Sequence, residues 1–368
     1  MNVHSPVKTA QAKQDHKVVD CDIHPTLSSP RVLDKYLPER WRDYYKEYGL
    51  FLREPFLGSS PYPKATPNLA RLDSWPPTGG PPGSDLDFMR KQHLDPNDVE
   101  FGILQLLSPN GQDHRNVEFG KVLCEAVNEW QVAEWTDPEP RLKASIMIPC
   151  EDPLAAAAEI RKRARQKDFA QILMTSRTRE LMGQRKYWPI FEAAASENVP
   201  LGIHVGGVSG MPITPGGWQS FYFEDHYNHS IGMQALLASF VFEGVFETFP
   251  QLKVISIEAG FGWVPSFKWR IDHHWERMRS EVPHLTMPPS KYIERNVWFT
   301  TQPVEEPEKR EYMLDLLNWV GIDRLLLSTD YPHWDFDDPR FAFKAVLNEE
   351  QKRKVYYENA YNVFGLKP

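Results

Sequence analysis

The chain contains 368 residues, of which 41% are apolar and 12% aromatic, enough for one large core or two smaller ones. Its 42 Lys and Arg and 50 Asp and Glu give a formal net charge of −8 without a basic cluster. This argues against nucleic-acid binding, because phosphate contacts need grouped cations. No apolar run reaches the ~18–20 residues that span a bilayer, so we expect no membrane partner. The three cysteines, Cys21, Cys124 and Cys150, show no paired spacing and predict a cytoplasmic chain without disulfides.

Short apolar runs alternate with helical patterns along most of the chain, which is typical of parallel strands joined by helices. Eight strands are predicted, at residues 17–22, 101–107, 142–148, 170–174, 200–204, 253–258, 296–300 and 324–329. Helices are predicted at residues 116–136, 153–166, 186–197, 230–249 and 306–319. Eight strands with helical crossovers predict a (β/α)8 TIM barrel, with an open doubly wound sheet as the alternative.

Three stretches fall outside this alternation. Residues 1–16 predict a flexible polar lead-in, which leaves residues 17–368 as a single barrel domain with an insertion at about 46–90. That insertion and the Gly-rich, then aromatic, residues 206–228 predict long loops over the C-terminal face of the barrel, because long loops in compact domains are usually functional. The aromatic residues of the insertion favour a homodimer or higher oligomer, or a hetero-oligomer; they are Phe51, Phe56, Tyr62 and Trp75.

Four of the predicted strands end in side chains that can bind a metal ion. The first strand ends in Asp22 and His24, whose i, i+2 spacing directs both side chains to one face. His204 ends the fifth strand, Glu258 the sixth and Asp330 the eighth. In a parallel barrel all these ends meet at one face. Two imidazoles and two carboxylates suit Zn²⁺ or Mn²⁺, with Fe²⁺ as an alternative. Taken singly, each fits a helix cap or a core residue.

Further side chains could complete such a site. Glu258 could take a proton from water or bind a second ion, together with His226, His229 or His333. His226 and His229 also fit a solvated loop or helix start, and His333 also fits a residue that lines the pocket or orients a carboxylate. Trp263, just after the sixth strand, is predicted to pack against substrate, with core packing as the alternative.

The chain resembles the amidohydrolase-related family that includes aminocarboxymuconate semialdehyde decarboxylase and the resorcylate-type decarboxylases. The likeness covers roughly residues 17–366 and rests on the segments VVDCDIHP, PLGIHVGG, GVFETFPQLKVISIEAGFGWVPSFKWRIDHHW and LLLSTDYPHWD. It implies a (β/α)8 barrel with one divalent metal, zinc or manganese, whose ligands would be Asp22, His24, His204 and Asp330.

The chain departs from the pattern of these relatives at two positions, on strand one and on strand six. Several relatives carry two histidines on strand one, where this chain has Asp22 and His24. The decarboxylases place a catalytic His on strand six, where this chain has Glu258. No Lys ends strand four, so the carboxylated-lysine bridge of many dinuclear amidohydrolases is not indicated.

The resemblance predicts a metal-dependent enzyme and favours non-oxidative decarboxylation of a small aromatic or unsaturated carboxylic acid, with Asp330 protonating the ring carbon. Because of Glu258, three alternatives stay open. One is hydrolysis of a C–N, C–O or C–C bond in a small cyclic substrate, with Glu258 or Asp330 managing the proton. Another is a dinuclear Fe or Mn/Fe oxygen-activating monooxygenase, which needs many carboxylates. The last is an inactive metal-binding subunit of a hetero-oligomer.

Overall fold

The computed structural model describes residues 17–49, 69–112, 114–206, 214, 216–343 and 347–367. The predicted lead-in at 1–16 lies outside the described residues. The same holds for part of each predicted long loop, including Phe51, Phe56 and Tyr62 of the insertion.

Eight parallel strands form one sheet in the order of the chain, and each pairs with the next. The strands are β1 (Val18–Ile23), β2 (Val99–Leu104), β3 (Leu142–Met147), β4 (Phe169–Thr175), β5 (Leu201–His204), β6 (Val254–Ile257), β7 (Val297–Thr300) and β8 (Leu325–Leu326). Backbone hydrogen bonds from Cys21 N to Leu327 O (2.9 Å) and from Asp330 N to Asp22 O (3.1 Å) bring the last segment onto β1. The prediction of a (β/α)8 barrel is confirmed.

Helices lie between the strands and cover them, so the strands are buried and read as nearly continuous apolar runs. They are α1 (Glu39–Tyr48), α2 (Leu86–Met89), α3 (Val117–Gln131), α4 (Pro153–Arg163), α5 (Trp188–Ser196), α6 (Tyr222–Phe242), α7 (Val245–Thr248), α8 (Val264–Met278), α9 (Pro289–Asn296), α10 (Arg310–Val320), α11 (Glu349–Arg353) and α12 (Asn359–Phe364). No described helix combines the length and the hydropathy needed to cross a membrane.

Several predicted boundaries were wrong, and two of them lie near the C-terminal face of the barrel. Helix α6 begins at Tyr222 and not near residue 230, because the Glu224 carboxylate accepts the backbone N–H groups of Ser220 (2.7 Å) and Phe221 (2.9 Å) and so caps an earlier start. Strand β8 ends after two residues, not at 329. The backbone N–H of Thr329 donates to the Asp20 carboxylate (3.0 Å) and not to a neighbouring strand. The strand therefore ends before this residue, because a side chain accepts its backbone hydrogen bond.

The described part of the insertion lies beside the C-terminal end of β8. Ala70 forms an antiparallel bridge with His333. Arg71 N donates to Pro332 O (3.0 Å), and Trp334 N donates to Leu69 O (2.9 Å). The chain that follows residue 69 therefore packs against the segment after Asp330, at the barrel mouth.

Candidate metal centre

Backbone carbonyl groups orient the two histidines at the strand ends. His24 Nδ1 donates to the carbonyl oxygen of Gln105 (2.8 Å), and His204 Nδ1 donates to the carbonyl oxygen of Val205 (2.6 Å). Both rings are buried. A hydrogen bond at Nδ1 leaves Nε2 deprotonated in the neutral ring, which is the form that binds metal ions.

Asp22, His24, His204 and Glu258 converge at the centre of the C-terminal face. One ligand atom from each lies within 4.8 Å of the others. Asp22 Oδ1 is 3.0 Å from His24 Nε2 and 3.7 Å from His204 Nε2. Glu258 Oε2 is 3.0 Å from His204 Nε2. Glu258, which the resemblance places at the position of a decarboxylase histidine, therefore stands in this cluster.

Several atoms of this cluster are buried without a hydrogen-bond partner in the described part of the chain. They are both carboxylate oxygens of Asp22 and the Nε2 atoms of His24 and His204. Buried polar atoms normally have partners, and a buried carboxylate without one is costly. A divalent cation would satisfy all four atoms at once, so the donor set fits a Mn²⁺ or Zn²⁺ ion.

Asp330 lies beside this cluster and contacts it through His24. Its Oδ1 is 2.8 Å from His24 Nε2 and accepts a hydrogen bond from His333 Nδ1 (2.6 Å). The His333 ring stacks on the His24 ring with a 4.3 Å centroid separation. Burial and then the charge of Glu258 raise the pKa of Asp330 well above its usual value, while burial and then His24 lower the pKa of His333 to about 4. A neutral His333 thus donates to an Asp330 that retains a proton readily.

A further group joins His226 and Glu258 to Asp335, a residue that the sequence analysis did not single out. One ligand atom of each lies within 4.8 Å of the others. His226 Nε2 is 3.0 Å from Asp335 Oδ2, which also accepts a hydrogen bond from Gln302 Nε2 (3.0 Å). Asp335 is the last residue of the segment LLLSTDYPHWD, and its type and position five residues after Asp330 were the only signals in the sequence.

Two predicted residues lie outside these groups of described side chains. His229 is on α6, 3.9 Å from Asp225 through Nε2, and burial lowers its pKa to about 3. Trp263 packs edge-to-face on Phe267 and Phe299, and its Nε1 donates to the carbonyl of Ala259 (2.8 Å). These contacts match the core-packing alternative for Trp263, and substrate contact stays a prediction.

Glu258 and Asp330 both have a backbone conformation that is uncommon for residues other than glycine. Their φ angles are 58° and 62°, in the left-handed region. Glu258 N donates to Thr300 Oγ1 (3.0 Å), and Asp330 N donates to the carbonyl of Asp22 (3.1 Å). Such strained residues cluster at functional sites, where surrounding bonds hold them. The two turns therefore direct the carboxylates of Glu258 and Asp330 toward the site.

Asp20 connects β1 to the segment that carries Asp330. Its Oδ2 accepts hydrogen bonds from Thr329 Oγ1 (2.6 Å) and His93 Nε2 (2.7 Å). Asn97 Nδ2 donates to the other ring nitrogen of His93 (3.1 Å), which leaves Nε2 to donate to Asp20. Both Asp20 and His93 are fully buried. Asp20 therefore holds the segment after β8 beside β1 through Thr329, and His93 positions the Asp20 carboxylate.

Substitution of His93 by Ala is expected to lower the free energy of unfolding by about 3 kcal/mol. The buried Asp20 carboxylate would lose a donor, and a cavity would replace the imidazole ring. Chemical denaturation measures the effect. Lys309→Ala, which removes an exposed 3.9 Å contact with Glu311, is the control and should cost at most about 1 kcal/mol. Equal stability of the two variants would contradict a structural role for His93.

A cavity of about 320 Å³ opens beside the cluster. His24 and His333 form part of its wall, together with Ala70, Pro81 and Pro82 of the insertion. This volume suits a small ligand, and the mixture of apolar wall and two imidazoles is typical of small-molecule sites.

Comparisons with known proteins show the family and agree with the fold. The family described as amidohydrolase matches residues 19–366. A gamma-resorcylate decarboxylase of Polaromonas sp. strain JS666 is 23% identical over 301 residues, which cover 77% of this chain and 88% of the relative.

Two solved structures have the same fold. The 5-carboxyvanillate decarboxylase of Novosphingobium aromaticivorans, complexed with manganese and 4-hydroxy-3-methoxy-5-nitrobenzoic acid, has a TM-score of 0.73 at 21% identity and covers 98% of this chain and 100% of its own. The dihydroxybenzoic acid decarboxylase of Polaromonas sp. JS666 has bound manganese and the inhibitor 2-nitroresorcinol. Its TM-score is 0.65 at 20% identity, and the match covers 95% of this chain and 97% of the decarboxylase chain.

Proposed function

This chain belongs to the amidohydrolase family, and from that membership and its site we propose that it removes carbon dioxide from a small aromatic carboxylic acid without an oxidant. The observation that carries the proposal is the buried Asp330 carboxyl, held 2.8 Å from His24 and 2.6 Å from His333, two residues that line the cavity. The names of its relatives, the gamma-resorcylate and 5-carboxyvanillate decarboxylases, support an aromatic acid as substrate.

We propose that Asp22, His24 and His204 hold the metal ion. Asp330 lies beside them, with its Oδ1 2.8 Å from His24 Nε2. A bound divalent ion would supply positive charge for the substrate carboxylate and a neighbouring oxygen. Manganese in two related decarboxylases and the unpartnered buried atoms of this cluster support the assignment.

Asp330 is the proposed proton donor. Its proton goes to the ring carbon that bears the carboxylate, and the bond between that carbon and the carboxylate then breaks. The electron pair of this bond restores the aromatic ring, and carbon dioxide leaves. His333, which donates to Asp330 Oδ1, holds the carboxyl in place. Burial and then the charge of Glu258 raise the pKa of Asp330, and a raised pKa favours the protonated form that a proton donor needs.

Hydrolysis is the second candidate, because Glu258 occupies the strand-six position. Its Oε2 lies 3.0 Å from His204 Nε2, within reach of a water molecule at the cluster. A carboxylate there can accept the proton of an attacking water, as a general base does. In decarboxylation the negative charge of Glu258 would instead raise the pKa of Asp330 and so favour its protonated form.

Incubation of the manganese-loaded protein with 2,6-dihydroxybenzoate and 5-carboxyvanillate tests the proposal. We expect carbon dioxide release and, in D₂O, a product with one deuterium at the former carboxylate position. Trp269→Ala, at an exposed site on α8, should behave as the wild type. A panel of lactones and cyclic amides tests hydrolysis, and oxygen uptake tests the monooxygenase alternative. Hydrolysis of a lactone or cyclic amide, or oxygen uptake, without carbon dioxide release from either aromatic acid would reject decarboxylation.

We also propose that residues 17–368 act as one domain, in a cytoplasmic homo-oligomer. The family match over residues 19–366 supports a single domain. None of the three cysteines, which all lie in the described part of the chain, forms a disulfide, and all three are buried, as suits a reducing compartment. Trp75 of the insertion is 41% exposed, which suits a surface for association. Light scattering after size-exclusion chromatography would give the oligomeric state and distinguish a homo-oligomer from a monomer.

A further inference from the structure

We propose that this chain binds a second divalent metal ion between His226, Glu258 and Asp335, and that Glu258 contacts both ions. The inference goes beyond the proposed decarboxylation, which requires only the ion at Asp22, His24 and His204.

The three side chains come from three separate elements. His226 lies on α6, Glu258 follows β6, and Asp335 lies in the segment after β8. One ligand atom from each is within 4.8 Å of the others. Ligand atoms that are each ~2.1 Å from one ion lie about 3.0–3.4 Å apart. His226 Nε2 and Asp335 Oδ2 form a 3.0 Å hydrogen bond, so the two atoms already have this separation and a bound ion would replace the proton between them.

Gln302 connects the proposed site to Asp330. Its Nε2 is 3.0 Å from Asp335 Oδ2 and 3.5 Å from Asp330 Oδ2, so one amide orients a carboxylate on each side. Gln302 is fully buried, and its Oε1 has no hydrogen-bond partner among the residues that the structure describes. A buried amide oxygen without a partner, beside these carboxylates, is an independent sign of a polar ligand at this place.

Glu258 belongs to both clusters, which places the two ions side by side. A histidine at this position would offer one nitrogen to one ion. A carboxylate has two oxygens, and each can bind a different ion. The replacement of the family's strand-six histidine by Glu258 therefore supplies the chemical group that a dinuclear centre needs.

The balance of charge also favours two ions. Four carboxylates surround the two clusters, those of Asp22, Glu258, Asp330 and Asp335. With Asp330 protonated as the proton donor, the other three carry three negative charges, and one divalent ion would compensate only two of them. Uncompensated buried charge is costly, and a second cation would bind where most of it remains. Oxygen-rich ligands with one imidazole suit Mn²⁺ or Fe²⁺.

The test is the number of manganese ions that each chain binds. Protein freed of metal by chelation is dialysed against a saturating concentration of MnCl₂, and bound manganese is measured by mass spectrometry. We expect two ions per chain in the wild type, and one in His226→Ala and in Asp335→Asn. His273→Ala is the matched control, because His273 is exposed on α8 and pairs with Glu276 at 3.7 Å; it should keep two ions.

Electron paramagnetic resonance provides a second readout. Two neighbouring Mn²⁺ ions give a spin-coupled spectrum, which should become that of an isolated ion in both site variants. Retention of one ion in those variants also shows that the barrel is folded. One ion per chain in the wild type would overturn the proposal, as would two ions in both variants or the loss of both ions from both.

The outcomes separate this inference from the proposed function. Decarboxylation by a protein that binds one ion would reject the second site alone. Two ions in a protein that does not decarboxylate would reject the proposed reaction alone.

Discussion

Replacement of Asp330 by Asn is expected to lower the turnover number about 10²–10⁴-fold, the usual contribution of a positioned proton donor. Asparagine has nearly the same shape but has no acidic proton to give to a ring carbon. The position is also demanding, because Oδ1 lies 2.8 Å from His24 Nε2 and accepts a hydrogen bond from His333. An amide there would keep the packing and remove the chemistry.

The measurement is the rate of carbon dioxide release by manganese-loaded protein, with the bound metal quantified in the same sample. Asp337→Asn is the matched control. Asp337 is a carboxylate of the same segment that accepts the N–H of Val304 (2.9 Å), and burial raises its pKa to about 6. This control should keep its activity. An Asp330→Asn turnover number within tenfold of the wild type, at equal metal content, would exclude Asp330 as the proton donor.

Removal of the metal is expected to abolish activity and to lower the melting temperature, with both restored by Mn²⁺. An ion that binds only the folded chain stabilises it by about 2.7 kcal/mol when its concentration is 100-fold above the dissociation constant. For a domain of this size, that corresponds to a rise in melting temperature of about 3–4 °C. The physical source is the set of unpartnered buried atoms on Asp22, His24 and His204, which gain a cation.

Thermal unfolding of chelated protein, followed at increasing MnCl₂ concentration, tests this expectation beside the activity assay. In His204→Ala the shift should be smaller, because one ligand of the first ion is absent. A melting temperature that does not respond to manganese, or full activity in a chelating buffer, would show that the cluster does not hold a functional ion.

The structure shows why the barrel and the first cluster were predictable from the sequence. Strand identity and side-chain direction are local properties, since alternate residues of a strand share a face. The Asp22 and His24 pair could therefore be placed on one side from its spacing alone. The ends of parallel strands meet at one face of a barrel, and this brings His204 and Glu258 to the same place.

Other parts of the centre depend on contacts between residues distant in the sequence. His93 supports the site through Asp20, 73 residues earlier in the chain, and no local pattern predicts such a bond. The start of α6 depends on the cap that Glu224 provides. Because of this earlier start, His226 lies on a helix and contacts Asp335, and not in a loop as predicted. Local propensity does not encode these partners, because tertiary packing selects them.

The sequence by itself determined the fold and the types of ligand, because hydrophobic periodicity and strand-end positions are read along the chain. The tertiary structure alone decided how the ligands are grouped. Left-handed turns at Glu258 and Asp330 direct these two carboxylates, and the position of α6 brings His226 to Asp335. A metal site requires atoms to converge within a few ångströms, and that convergence depends on turn angles and helix packing that the sequence pattern does not specify.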